Sequence, residues 1–157
     1  DAAGAGRLGF EDVGRLPYAR AVFAEAMRLY PPAWAIGRMA LRDVTVGGYT
    51  VPEGCIVLMS PYVTHRDGRY WEAAGEFRPE RFLEGDAAKF VYYPFGGGAR
   101  VCIGERFAWM EGVLALAAIG RKWRMRLEAG QTVEPMAQIT LRPRYGMRMR
   151  IESRLGA

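Results

Sequence analysis

Phe95-Gly96-Gly97-Gly98-Ala99-Arg100-Val101-Cys102-Ile103-Gly104 is the stretch on which the reading of this chain turns. A glycine run delivers one cysteine to the start of a long apolar segment that reads as a helix. The first turn of a helix offers unpaired N–H groups and a positive dipole end, and both favour a thiolate over a thiol. Arg100 adds a fixed positive charge two positions earlier. The glycines permit left-handed turns and close backbone approach. The pattern describes a loop pressed against a flat or anionic object with a sulfur aimed at it. The plainer alternative is a buried structural cysteine after a tight turn, which is the usual role of a lone cysteine.

Downstream, residues 107–119 are apolar nearly all round (Phe107, Ala108, Met110, Val113, Leu114, Leu116, Ala117, Ala118, Ile119) and predict a helix with protein on most sides. Upstream, Pro17 sits at a tolerated first helical position, and Ala19, Val22, Phe23, Ala26, Leu29 and Tyr30 form an apolar stripe at helical spacing. Pro31-Pro32 ends that helix. Glu25 and Arg28 stand three apart on it and read, taken alone, as a surface ion pair worth a few tenths of a kcal/mol. Val44, Val46, Tyr49, Val51, Ile56 and Leu58, broken by Gly47-Gly48 and Pro52-Glu53-Gly54, predict antiparallel strands with tight turns. Arg38 stands among Ile36, Met39 and Ala40, and an arginine buried in such a setting requires an anionic partner. Residues 1–15 and 60–94 read as loop-rich, and Cys55 as strand filler. Strand-like alternation returns over 131–152, with Gln138 to Leu141 and Met147 to Ile151 on either side of a turn from Pro143 to Gly146.

Composition bounds the function. The 157 residues are half hydrophobic and a quarter charged, enough for one globular domain with a core. No uncharged apolar run is long enough to span a membrane, and no signal segment opens the chain. Two cysteines exclude a disulfide framework and lead to the expectation of a soluble, cytoplasmic chain. Cys55, Cys102 and the single His65 are too few soft ligands for structural zinc. Ser60, His65 and Asp67 carry the residue types of a hydrolytic triad, but crowd into eight positions without a nucleophile elbow. Of the formal net charge of +5, residues 121–157 carry +6, with nine Lys or Arg against three Glu. A basic face suits nucleic acid, an anionic membrane or an acidic protein, and without interleaved aromatics it is first of all a solvated face.

Three motifs taken together, Glu25-x-x-Arg28, Pro79-Glu80-Arg81-Phe82 and Phe95-x-x-Gly98-x-Arg100-x-Cys102-x-Gly104, resemble the cytochrome P450 haem-thiolate monooxygenases in order and spacing from about Leu16 to Ile151. The resemblance implies a mixed fold, mainly α with small antiparallel β-sheets, in which residues 1–157 are the C-terminal haem-binding portion. It implies haem b with Cys102 as axial ligand, Phe95 beside the sulfur, and Gly98 and Gly104 shaping the loop. Arg38 and Arg100 would pair with the haem propionates. Glu25, Arg28 and Arg81 would form a buried network that holds the loop. Ala33, Trp34 and Ile139 fall where family members line the substrate pocket.

The implied reaction is oxygen insertion into a small, apolar organic substrate, driven by a reductase or ferredoxin that the basic tail (Arg121, Arg124, Arg126) helps to dock. No nucleic acid is expected as a partner. The long central helix with its acid–alcohol pair, the helices over the distal haem face and any membrane anchor have no counterpart here. The fragment alone is therefore expected to bind haem poorly and not to turn over substrate. A non-catalytic haem-binding or haem-sensing module and a peroxide-driven haem enzyme are the competing readings.

Overall fold

The computed structural model describes residues 8–85, 87–88 and 90–154. The expectations for residues 1–7 and for Lys89 lie outside them. A short 3-10 turn at Phe10–Arg15 leads through Leu16 into helix α1, Pro17–Leu29. The proline stands at the helix start, and the chain leaves helical geometry at Tyr30, before Pro31-Pro32. Residues 10–15 are thus helical rather than loop. Asp12 accounts for this: its carboxylate accepts the Gly9 N–H at 3.0 Å and pairs with Arg15 at 3.3 Å.

Two antiparallel pairs follow. β1 (Ile36–Met39) pairs with β4 (Ile56–Met59), with Arg38 opposite Val57, and β2 (Val44–Val46) pairs with β3 (Tyr49–Val51) around the Gly47-Gly48 turn. Ser60 caps the one-turn helix α2, Pro61–Thr64, by accepting the Val63 N–H on its hydroxyl. A second 3-10 turn at Pro79–Phe82 lies against α1. After the cysteine loop comes α3, Glu105–Lys122, which also packs on α1. Their approach requires glycine at 112, because a Cβ there would stand 2.3 Å from the tip of the Phe23 ring.

The C-terminal strands pair differently from the alternation pattern. β5 (Trp123–Leu127) pairs with β8 (Met149–Ser153), and β6 (Pro135–Ala137) with β7 (Leu141–Pro143). Gln138, Ile139 and Thr140 form the turn of the β6–β7 hairpin instead of a strand. The Gln138 N–H closes this turn on Thr140 O at 3.3 Å, and the β5–β8 register puts Trp123, Met125, Leu127, Met149 and Ile151 on one face and the arginines on the other. α3 also differs from expectation. Within it only Val113 is fully buried, and Phe107 and Ile119 are exposed. Its apolar surface meets α1 on one side, chiefly through the Phe23–Trp109 edge contact at 5.5 Å. Among the described residues no helix is long and apolar enough to cross a membrane.

Candidate functional site

The core sits where α1 meets the corner formed by α2 and the Pro79–Phe82 turn. Its centre is an ion-pair network whose core pair, Glu25 and Arg28, is fully shielded from water. The Arg28 guanidinium spends all five N–H donors. Nε and Nη2 form a two-pronged pair with Glu25 at 2.7 and 2.8 Å. Nη1 donates to the carbonyls of His65 (2.6 Å) and Ala74 (2.8 Å), and Nη2 also donates to Glu76 O (2.9 Å). Glu25 Oε1 additionally accepts the Arg78 N–H at 2.8 Å and Arg81 Nε at 3.2 Å. Burial pushes the Glu25 carboxyl up; the Arg28 hydrogen bonds, the Arg78 N–H and the charges of Arg28 and Arg81 outweigh it, and the net shift is down. Glu25 and Arg28 therefore form no surface pair: both are 0% exposed. They tie one helix to three loop segments between residues 65 and 81.

The network reaches the cysteine loop through His65, which the triad reading set aside. Its imidazole is 0% exposed, enclosed by Trp71, Tyr92 and Tyr93. Nε2 accepts the Tyr93 N–H at 2.9 Å, which leaves the proton on Nδ1, where it has no hydrogen-bond partner. Burial, foremost, holds the imidazole down at about 4; the carbonyls of Arg28 and Met27 oppose this, and the charges of Arg28 and Arg66 add to it. Neutral and walled in, it is no nucleophile's partner, and Ser60 is occupied as a helix cap. The useful signal in the sequence was a lone histidine between a helix stop and an aromatic-rich loop.

From Tyr93 the chain runs into the loop itself. Pro94 is buried, the Cys102 N–H donates to Phe95 O at 3.0 Å, and the Phe95 ring lies 6.0 Å from Trp109. Gly96 and Gly98 take φ of +77° and +69°, the left-handed region that favours glycine. Cys102 is an exposed free thiol. It lies three residues before α3, and the Glu105 N–H returns to Cys102 O at 3.3 Å.

Cys102 opens into a cavity of about 340 Å³ whose walls include Met27, Pro32, Ala33, Ile36, Pro94 and Phe95, with Arg38 and Arg100 also on its lining. The structure thus brings Cys102, Phe95 and Arg100 of the cysteine loop together with Ala33 and with Arg38 of β1. Arg38 is exposed rather than buried, and its Nη1 donates only to the neighbouring Gly37 O at 2.8 Å. Neither Arg38 nor Arg100 pairs with a carboxylate among the described residues. Gly98, Gly104, Trp34 and Ile139 do not line this cavity. Gly104 instead begins α3, without a left-handed backbone. Trp34 donates its indole N–H to Gln138 O at 2.7 Å, and Leu141 N–H donates to Pro32 O at 2.9 Å. The hairpin carrying Ile139, 98% exposed at its tip, is therefore bonded to the segment that forms the cavity wall.

The family model for cytochrome P450 matches residues 2–148 of this chain. The chain belongs to the cytochrome P450 family. Among its curated relatives, cyclooctatin synthase of Streptomyces melanosporofaciens is 44% identical over 84% of this chain and 29% of its own length. Pentalenene oxygenase of Streptomyces avermitilis is 34% identical over 92% of this chain and 33% of its own. Carotene epsilon-monooxygenase of Arabidopsis thaliana is 36% identical over 92% and 28%. The chain spans about a third of the length of these relatives. The P450 cofactor is haem b, and the cavity has the chemistry such a group needs: a thiol, apolar walls for the macrocycle, and two cations free for its carboxylates.

Proposed function

We propose that residues 1–157 are the C-terminal haem-binding portion of a longer cytochrome P450 that acts as a haem-dependent monooxygenase. The reaction inserts one oxygen atom from O2 into an organic substrate and reduces the other to water. One observation carries this reading: an exposed thiol and two carboxylate-free guanidiniums share the lining of one apolar cavity.

In this reading Cys102 would hold the haem iron through its sulfur, and Arg38 and Arg100 would neutralise the propionates. When bound, the haem supplies O2 activation, which electron donation from a thiolate ligand favours. The protein's own part is positional. Phe95 lines the same cavity as the sulfur, Gly98 lets the loop turn toward the haem, and Gly104 starts α3 close to the sulfur. The network of Glu25, Arg28 and Arg81 keeps that loop from moving. Ala33 forms part of the substrate-facing wall, with Trp34 next to it in the chain and Ile139 on the hairpin to which Trp34 donates its indole N–H. Two relatives named as oxygenases of pentalenene and carotene support an apolar organic substrate.

Electrons come from a reductase or ferredoxin in a reducing, cytoplasmic setting. Arg124 and Arg150 face outward on the β5–β8 ribbon toward such an acidic donor. Arg126, by contrast, is already paired with Glu152 at 3.6 Å. The test is turnover by the full-length, haem-loaded protein with an electron donor under ¹⁸O2. One labelled oxygen per product molecule is expected. Product labelled only from water or from added peroxide would reject the reading.

A further inference from the structure

Nothing in the three family motifs involves His65, yet it is the joint between the ion-pair network and the cysteine loop. Its two ends do different work. The main-chain carbonyl accepts Arg28 Nη1 at 2.6 Å, so the residue is anchored to α1. The ring Nε2 accepts the Tyr93 N–H at 2.9 Å, two residues before Phe95. Beside it, the Thr64 and Tyr93 hydroxyls are hydrogen-bonded at 2.9 Å. The segment entering the cysteine loop is thus held at Tyr93, through both its backbone and its hydroxyl, by the α2 corner, which Arg28 holds in turn.

Burial makes the ring's acceptor role specific. The imidazole that accepts the part-buried Tyr93 N–H is itself 0% exposed and packed against Trp71, Tyr92 and Tyr93, so water does not reach the acceptor's place. A donor left without an acceptor there is costly, so the loop entrance would shift to recover one. A cationic imidazole has no lone pair and could not fill the role.

We propose that His65 is a positioning residue for the Cys102 loop, acting through the acceptor nitrogen Nε2 on the backbone of Tyr93. This rests on the reading of Cys102 as the haem ligand. Loss of the acceptor loosens Tyr93-Pro94-Phe95 and, through the Phe95 O···H–N Cys102 bond, the position of the sulfur. Shape alone does not do this, and the distinction can be tested. The Oε1 of glutamine reaches the place of Nε2, the Oδ1 of asparagine stops short of it, and phenylalanine fills the space with no acceptor at all.

The experiment uses the full-length haem-loaded protein as His65→Gln, His65→Asn and His65→Phe. One readout is the reduced, carbon-monoxide-bound absorption spectrum. The other is hydrogen exchange at the Tyr93 amide, measured with and without haem. The Gln variant is expected to keep the wild-type thiolate-type Soret band and a protected amide. Asn and Phe are expected to raise the ratio of non-thiolate to thiolate species about ten-fold and to speed Tyr93 exchange by a similar factor. Wild-type behaviour in folded Asn and Phe variants would overturn the proposal. So would equal damage in all three, since the ring's shape would then be what matters. Should no variant, nor the wild type, give a thiolate band, the haem reading fails instead. The exchange pattern without haem still decides whether His65 holds the loop.

Discussion

Arg28→Lys is the substitution whose outcome the structure fixes most tightly. It keeps the charge, so Glu25 is not stranded beside an empty space, and any loss reports the geometry of the guanidinium fork. Arginine uses five donors on Glu25 Oε1, Glu25 Oε2, His65 O, Ala74 O and Glu76 O, all between 2.6 and 2.9 Å. A lysine ammonium has three donors, so at least two of these buried acceptors lose their partner. At about 1–3 kcal/mol for each unsatisfied group, the expected loss is about 4 kcal/mol, a large share of a stability of about 5–15 kcal/mol. Arg28→Met removes the charge as well. It should cost more still, because Glu25 keeps only the Arg78 N–H and Arg81. The assay is urea unfolding of the full-length protein followed by tryptophan fluorescence, with linear extrapolation and comparison of slopes. Arg28→Lys within about 1 kcal/mol of the wild type, with an unchanged slope, would refute the claim that five simultaneous bonds hold this corner together.

The α1–α3 contact predicts opposite signs for two glycines of one helix. Gly112→Ala gains up to about 1 kcal/mol of helix propensity but drives a methyl into the Phe23 ring, so a net loss of about 1 kcal/mol is expected. Gly120→Ala meets nothing within 4 Å and should stabilise the protein by about 0.5–1 kcal/mol in the same unfolding assay. Acid should act through His65, whose folded-state value of about 4 lies below its ordinary 6.5. The folded protein therefore binds fewer protons, and this contribution is complete above pH 6.5 and lost as pH falls toward 4. Between about pH 7 and pH 5 the loss is about 2 kcal/mol, and His65→Gln should remove that part of the slope in urea titrations at the two pH values. Arg124→Glu should slow reduction by an acidic electron donor about three- to ten-fold at low salt and have little effect at high salt, as measured by stopped-flow absorbance.

Much of the site is legible in the sequence, because its signals are local. The proline pair after Tyr30, the glycines that need left-handed backbone and the lone cysteine before an apolar run each act within a few residues. Glu25 and Arg28 were legible as neighbours on one helix face, but spacing alone gave them a solvated setting. Their burial depends on the carbonyls of His65, Ala74 and Glu76, which lie 37 to 48 residues away in sequence. Arg38 erred in the other direction: apolar neighbours along a strand do not bury a side chain that projects from an open sheet edge, and Arg38 is exposed. Alternation marks which residues extend but not their partner, and β5 finds β8 across more than twenty residues. α3 was read as enclosed because apolar composition reports a need for cover, whereas the described structure gives it α1 on one side.

The most direct test of the account is the absorption spectrum of the full-length protein, haem-loaded, reduced and bound to carbon monoxide, compared with Cys102→Ser. A thiolate-type Soret band in the wild type that is absent in Cys102→Ser, while Cys55→Ser retains it, is the predicted result. An unchanged band in Cys102→Ser, or a histidine-type band in the wild type, would contradict it.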